Sequence, residues 1–235
     1  MTLVFREDPY ARSCAASVTA VDERGIRLDA TVFYPTGGGQ PGDTGVLRWP
    51  GGETRIRDTV KGDGPDEVIH VPEQGDPLPA TGTRVEAEID WERRHALMRM
   101  HTCLHLLCAA VPGQVTGGQV GADRSRLDFN VPSGSLDGDA IEAALNALVA
   151  ADHPVRSRWI TDAELDTRPE LVRTMSVKPP TGAGRVRLLE IGDVDLQPCG
   201  GTHVRSTGEI GAVKVAKIEN KGKQNRRVVV VLESR

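Results

Sequence analysis

Residues 90–113 read Asp90-WERRHALMRMHTCLHLLCAAVP-Gly113, and the pattern of the chain changes inside this stretch. Leu97, His101, Leu104, His105 and Cys108 recur at spacings of three and four, which is the repeat of a helix face. Pro112 and Gly113 supply the stop. The spacing predicts a helix from Trp91 to Val111. It also sets a domain boundary near Asp90, giving domains 1–90 and 91–235.

Upstream of this helix the chain reads as β structure. Segments near 14–20, 26–34, 54–60, 66–71 and 83–90 carry β-branched or alternating apolar residues between turns rich in Gly, Pro and Asp. Strands so short and so close together suit a small barrel or a sandwich. Downstream, 124–131, 154–160 and 185–191 read as strands, and 137–151 and a short piece near 162–174 as helices. The segments 211–219 and 226–233 read as a hairpin about the turn Asn220–Asn225. The second half is thus α+β, with helices laid on a mostly antiparallel sheet.

Two short motifs carry chemistry. His101-Thr-Cys-Leu-His105 places two imidazoles one helical turn apart on one face. Cys199-Gly-Gly-Thr-His203 adds a thiolate and a third imidazole across a turn that glycine lets fold tightly. Three nitrogens and one sulfur suit a tetrahedral zinc ion, one per chain. A zinc-protease helix would need Glu directly after the first His, and Thr102 stands there. Asp193 and Asp195, just before the Cys199 turn, are turn residues, proton acceptors or partners of the ligands. Cys103 and Cys108 read as core, His95 as structural, and His70 and His153 as surface.

A third unusual stretch is FYPTGGGQPGDTG, residues 33–45. No Gly-Lys-Ser/Thr follows, so it is not a Walker loop, and it does not keep the dinucleotide-binding spacing. It is either a cluster of β-turns or a surface where backbone approaches a ligand. In the second case Thr36 and Gln40 offer a hydroxyl and an amide.

The 235 residues are 38% hydrophobic and 26% charged, a globular composition, with too few aromatics (3%) for stacking to carry the function. No apolar run is long enough to span a bilayer, and MTLVFREDPY lacks the pattern of a signal peptide, so no membrane role and a cytoplasmic location are expected. The net charge of −4 argues against bulk attraction to nucleic acid. A local exception is the last thirty residues, with seven Lys and Arg against three Glu, Arg235 among them. This is either a solvated charged hairpin or a basic patch in which Lys217, Lys221, Lys223, Arg226 and Arg227 are candidate phosphate contacts, with Arg94 and Arg99 as weaker ones.

FYPTGGGQPGDTG, HTCLH, and CGGTHV followed by STGEIG occur in the order found in the editing region of alanyl-tRNA synthetase. The chain resembles most the free-standing AlaX relatives, in their middle-sized form. The resemblance implies an N-terminal β-barrel domain and a two-layer α/β editing domain. It implies zinc-dependent deacylation of Ser-tRNA(Ala), with Gly-tRNA(Ala) as a second substrate, at the tRNA(Ala) acceptor end and without ATP. His101, His105, Cys199 and His203 would hold the zinc, and Thr36 and Gln40 would border the editing pocket, Thr36 near the serine hydroxyl. A threonyl-tRNA-type editor and a non-catalytic zinc module that binds RNA share part of this pattern. Oligomeric state is not legible.

Overall fold

The computed structural model describes residues 1–64, 66–132, 134, 136–173 and 184–233. Position 174, the end of the short helical piece, and Arg235 of the basic tail lie outside the described residues. The chain divides into two compact units, Met1–His95 and Ala96–Arg235.

In the first unit β1 (Thr2–Leu3), helix α1 (Val4–Glu7), β2 (Ser13–Asp22), β3 (Gly25–Leu28) and β4 (Ala30–Thr31) come first. β5 (Gly45–Trp49), β6 (Gly52–Lys61), β7 (Val68–Pro72) and β8 (Arg84–Ile89) follow. Six of them close a barrel in the order β2-β3-β7-β6-β5-β8. Alternation decides which side chains point inward: Val85, Ala87 and Ile89 of β8 are buried between exposed or half-buried neighbours. In β6 the inward set is Thr54 and Ile56, and a bulge before Asp58 resets the phase so that Thr59 also points in. Ile26, Leu28, Phe33 and Leu47 complete this core.

The 26–34 segment is not one strand. Asp29 interrupts it by accepting the Ser17 N–H on its carboxylate, at 2.7 Å, after which β4 pairs in parallel with β1. Strand β5 escaped the pattern reading, because only Leu47 in it is fully buried and glycine-rich sequence precedes it. His70 is not a surface residue. It is fully buried on β7, 2.8 Å from Thr31 Oγ1 through Nε2 and 3.0 Å from the Ile26 carbonyl through Nδ1.

Helix α2 spans Trp91–Ala110, and the division between the units falls inside it. The Asp90 carboxylate accepts the Arg93 N–H at 3.1 Å, satisfying an amide that the first turn leaves without an internal partner. From His101 to Cys108 every residue is buried, so the helix has no polar face there and the expected stripe is only part of its buried surface. Beyond it run β9 (Gln114–Gln119), β10 (Arg124–Asn130), α3 (Gly138–Ala150), β11 (Val155–Thr161) and α4 (Asp162–Asp166). β12 (Arg185–Ile191), β13 (Asp195–Pro198), β14 (Val213–Asn220) and β15 (Asn225–Leu232) complete the chain. Asp137 caps α3 by accepting from Asp139 and Ala140 N–H, and Ile141, Leu145 and Val149 form its buried face at intervals of four. The described strands of this unit make two antiparallel sheets rather than one, β14-β15-β10-β9 and β11-β12-β13. The composition is that of an α+β protein.

Candidate metal centre

Helix α2 presents His101 and His105 one turn apart, with ring centroids 5.5 Å from each other. The turn after β13 brings His203 to 4.4 Å from the first ring and 5.0 Å from the second. Cys199 Sγ lies 3.2 Å from His203 Nε2 and 3.6 Å from His101 Nε2. One ligating atom from each of the four residues falls within 4.8 Å of all the others. This cluster could hold a metal ion. The three imidazoles are buried, whereas Cys199 is half-buried and Gly200 exposed, so the cluster is nearest solvent at Cys199–Gly200.

Hydrogen bonds behind the cluster fix which nitrogens face inward. His105 Nδ1 donates to Asp195 Oδ2 at 2.9 Å, which leaves Nε2 free to ligate. The Thr102 hydroxyl donates to the Met98 carbonyl at 2.9 Å. It therefore accepts from His203 Nδ1 at 3.2 Å and from the Val204 N–H at 3.3 Å, and the Nε2 of His203 is left for the metal. Gln197 Nε2 donates to the same Asp195 oxygen at 2.8 Å. Arg187 Nη1 donates to the Cys199 and Gly201 carbonyls, both at 3.0 Å, and pins the CGGTH turn.

At Cys199, His105 and His203 burial opposes charge, and its balance against the neighbouring groups decides the outcome. At Cys199 burial would raise the thiol, but the adjacent His101 and His203 outweigh it and hold the pKa well below the ordinary value. At His105 burial would lower the pKa, but Asp195 and Cys199 raise it to about 9. At His203 burial wins and the pKa drops to about 3. The thiolate of Cys199 and the neutral ring of His203 are in the protonation states that metal binding needs, whereas His105 must release its Nε2 proton to bind.

Of the residues singled out in the sequence, the four candidate ligands converge. Asp195 is hydrogen-bonded to His105, one of the four candidates, while Asp193 stands exposed in the turn. Cys103 and Cys108 are buried, and burial pushes both thiols up to about 12. His95 stacks on Trp91 at 5.3 Å between centroids. Thr102, which contacts His203 Nδ1 and the Val204 N–H, carries no sequence signal beyond standing where a zinc protease has Glu. A signal for Asp195 was present: Asp195 and Gln197 alternate along a strand and so share one face, and Cys199 follows just beyond its end.

Comparison with known proteins adds the family. A family model described as "Threonyl and Alanyl tRNA synthetase second additional domain" matches residues 186–229, and one described as "tRNA synthetases class II (A)" matches 8–93. Alanyl-tRNA editing protein AlaX-M of Methanosarcina acetivorans is 36% identical over 235 residues, 96% of each chain. The chain belongs to the AlaX family of alanyl-tRNA editing proteins. AlaX-L of Pyrococcus horikoshii is 35% identical, over 96% of this chain and 56% of its own. The alanine–tRNA ligase of Pyrobaculum neutrophilum is 39% identical, over 92% of this chain and 25% of its own.

The other sequence-derived candidates of this AlaX chain sit elsewhere. Thr36 is exposed, and its Oγ1 accepts the Gly42 N–H at 2.7 Å. Gly42 permits that loop because a Cβ there would lie 2.0 Å from the Thr59 carbonyl oxygen. Gln40 is buried, and its backbone exchanges two 3.0 Å hydrogen bonds with Gly37. Lys217, Lys221 and Lys223 are exposed. Arg227 pairs with both carboxylate oxygens of Asp128, at 2.7 and 2.9 Å. Arg226 is buried, and its Nη1 donates to the Gly222 and Asn225 carbonyls of its own turn. Arg94 is no phosphate contact: it is fully buried against Asp43. Arg99 donates to the Ile210 carbonyl through Nε and Nη2, at 2.9 and 2.6 Å.

Proposed function

We propose that this chain hydrolyses Ser-tRNA(Ala), and secondarily Gly-tRNA(Ala), with one zinc ion held by His101, His105, Cys199 and His203. The observation that carries the reading is the cluster of three imidazoles and one thiol, their ligating atoms within 4.8 Å of one another, in a member of a family named for alanyl-tRNA editing. Zinc suits this donor set. A tetrahedron at ordinary bond lengths puts adjacent N and S atoms roughly 3.5 Å apart, close to the 3.2 and 3.6 Å found around Cys199.

In the reaction, water adds to the ester carbonyl carbon, the bond to the ribose oxygen breaks, and that oxygen leaves with a proton. Four protein ligands fill a tetrahedral site, so bound zinc would supply Lewis-acid polarisation, or a lowered pKa for water, only at a further or vacated coordination position. The protein's own groups do the positioning: Asp195 and Thr102 hold the two rings, and the acyl group enters on the Cys199–Gly200 side. Serine differs from cognate alanine by a hydroxyl, so selectivity requires a polar contact, because size cannot exclude the smaller residue. Thr36 takes that role, and Gln40 braces the loop beneath it. Residues 1–90 act as a barrel domain and 91–235 as a two-layer editing domain, working in the cytoplasm. Lys217, Lys221, Lys223 and Arg227 contact the acceptor end of tRNA(Ala), with Arg226 shaping their turn. No helix among the described residues is long and apolar enough to cross a membrane.

A threonyl-type editor is the weaker reading, because FYPTGGGQPGDTG marks the alanyl type. The deciding experiment measures zinc content and deacylation of Ser-, Gly- and Ala-tRNA(Ala) by wild type and His105→Ala. About one zinc per chain and serine-selective cleavage are expected, both lost in the variant. Unchanged metal and activity in His105→Ala would refute the site.

A further inference from the structure

Strand register places charge on the outer face of the β14-β15-β10-β9 sheet. Gln119, Arg126, Val229 and Lys217 pair in one row across the four strands, and Gly117, Asp128, Arg227 and Glu219 in the next. The alternate residues of the two central strands, Leu127, Phe129, Val228 and Val230, are buried on the opposite face. A groove of about 400 Å³ runs over the outer face, lined by Arg124, Arg126, Lys217, Lys221 and Arg227 with Glu219 as the carboxylate among them.

The cations are not equivalent. Arg227 and Arg126 share Asp128, and Lys217 and Lys221 share Glu219. Arg124 is exposed and has no ion-pair partner among the described residues. Five cations against two carboxylates leave the face strongly positive on a chain whose net charge is −4. Neighbouring strands are roughly 4.8 Å apart, so the positive charge spreads over two strand spacings, about 10 Å from Arg126 to Lys217. A single small anion needs a converging site. A row of cations over a polar floor fits a repeating polyanion.

We propose that this sheet face docks the phosphodiester backbone of the RNA substrate, with Arg124 and Arg126 of β10 as anchors and Glu219 as a competing charge that limits affinity. This deepens the editing reading and rests on it for the identity of the RNA. Backbone contacts of this kind fix position without reading sequence.

The test is binding of uncharged tRNA by zinc-loaded protein at about 50 and 200 mM salt, which requires no turnover. Arg124→Ala/Arg126→Ala should weaken binding at least tenfold at the lower salt. It should also reduce the slope of log K against log salt by about 1.5, the share of two phosphate contacts. Glu219→Gln should tighten binding several-fold, a gain that misfolding cannot produce. Wild-type affinity and slope in both variants would overturn the proposal, as would competition by polyglutamate as effective as by RNA. Absence of deacylation by wild type would instead overturn the editing reading, and the binding result would stand apart from it.

Discussion

Asp195 Oδ2 lies 2.9 Å from His105 Nδ1, with both side chains buried. The carboxylate sets the tautomer of the ring and increases its basicity, so a residue outside the cluster of four controls one of its members. Arg173 Nε stands 3.8 Å from the other Asp195 oxygen, and Gln197 steadies the first. The Cys199 turn thus carries its own orienting group four residues upstream.

The first prediction follows. Asp195→Asn keeps the shape and removes the charge. Zinc affinity should fall about 10–100-fold, the usual cost of losing such a partner. Competition against a chromophoric chelator measures it, and Asp193→Asn is the control, since that side chain is exposed in the turn. Equal loss in both variants would mean that general charge, not the His105 contact, matters.

A second prediction concerns Arg94 and Asp43, 0% and 1% exposed. Arg94 also donates to the Pro9 and Val32 carbonyls at 3.0 and 2.7 Å, and Asp43 accepts the Tyr34 N–H at 2.6 Å. The pair therefore ties the glycine-rich stretch to the end of the barrel. Arg94→Met would strand a buried carboxylate and should cost about 3–5 kcal/mol. Urea unfolding reads this loss. A change under about 1 kcal/mol would place the pair among exposed bridges in energetic terms.

These residues also show what the sequence could reveal. The convergence of His101, His105, Cys199 and His203 was legible because His and Cys are few and their spacings match a helix turn and a tight loop. The barrel was legible through alternation, except where β5 has little buried side chain. Arg94 and Arg226 are buried, whereas charge alone reads as solvent exposure. The acceptors that bury Arg94 include Asp43, 51 residues away; those of Arg226 are carbonyls of its own turn, to which composition is blind. Thr102 serves His203 across 101 residues, and no local pattern encodes that.

His70 yields a pH prediction. Burial lowers its pKa from 6.5 to about 4. Between those values the unfolded chain binds the proton and the folded chain does not, so stability rises with pH. The contribution is complete above about 6.5 and is lost as pH falls toward 4, a drop of about 3 kcal/mol. Denaturant unfolding from pH 7 to 4 should therefore be steeper in wild type than in His70→Gln. Parallel profiles would show that His70 takes up its proton in the folded state at the ordinary pKa.

The last prediction asks whether Thr36 reads the serine hydroxyl. Its Oγ1 accepts the Gly42 N–H at 2.7 Å, so its own proton is directed away from that amide and can donate to an incoming hydroxyl. Thr36→Val removes both bonds while keeping the shape, and Thr36→Ser keeps both. Loss of the substrate bond should cost about 1–3 kcal/mol, a factor of roughly 5–150 in deacylation of Ser-tRNA(Ala). Loss of the Gly42 bond disturbs the loop for any substrate, and the slow hydrolysis of Ala-tRNA(Ala) reports that damage. The ratio of the two rates in single turnover therefore isolates the hydroxyl contact. It should collapse in Thr36→Val and survive in Thr36→Ser. If the valine variant lost both activities in proportion, Thr36 would be a loop residue alone, and the hydroxyl would be read by another group.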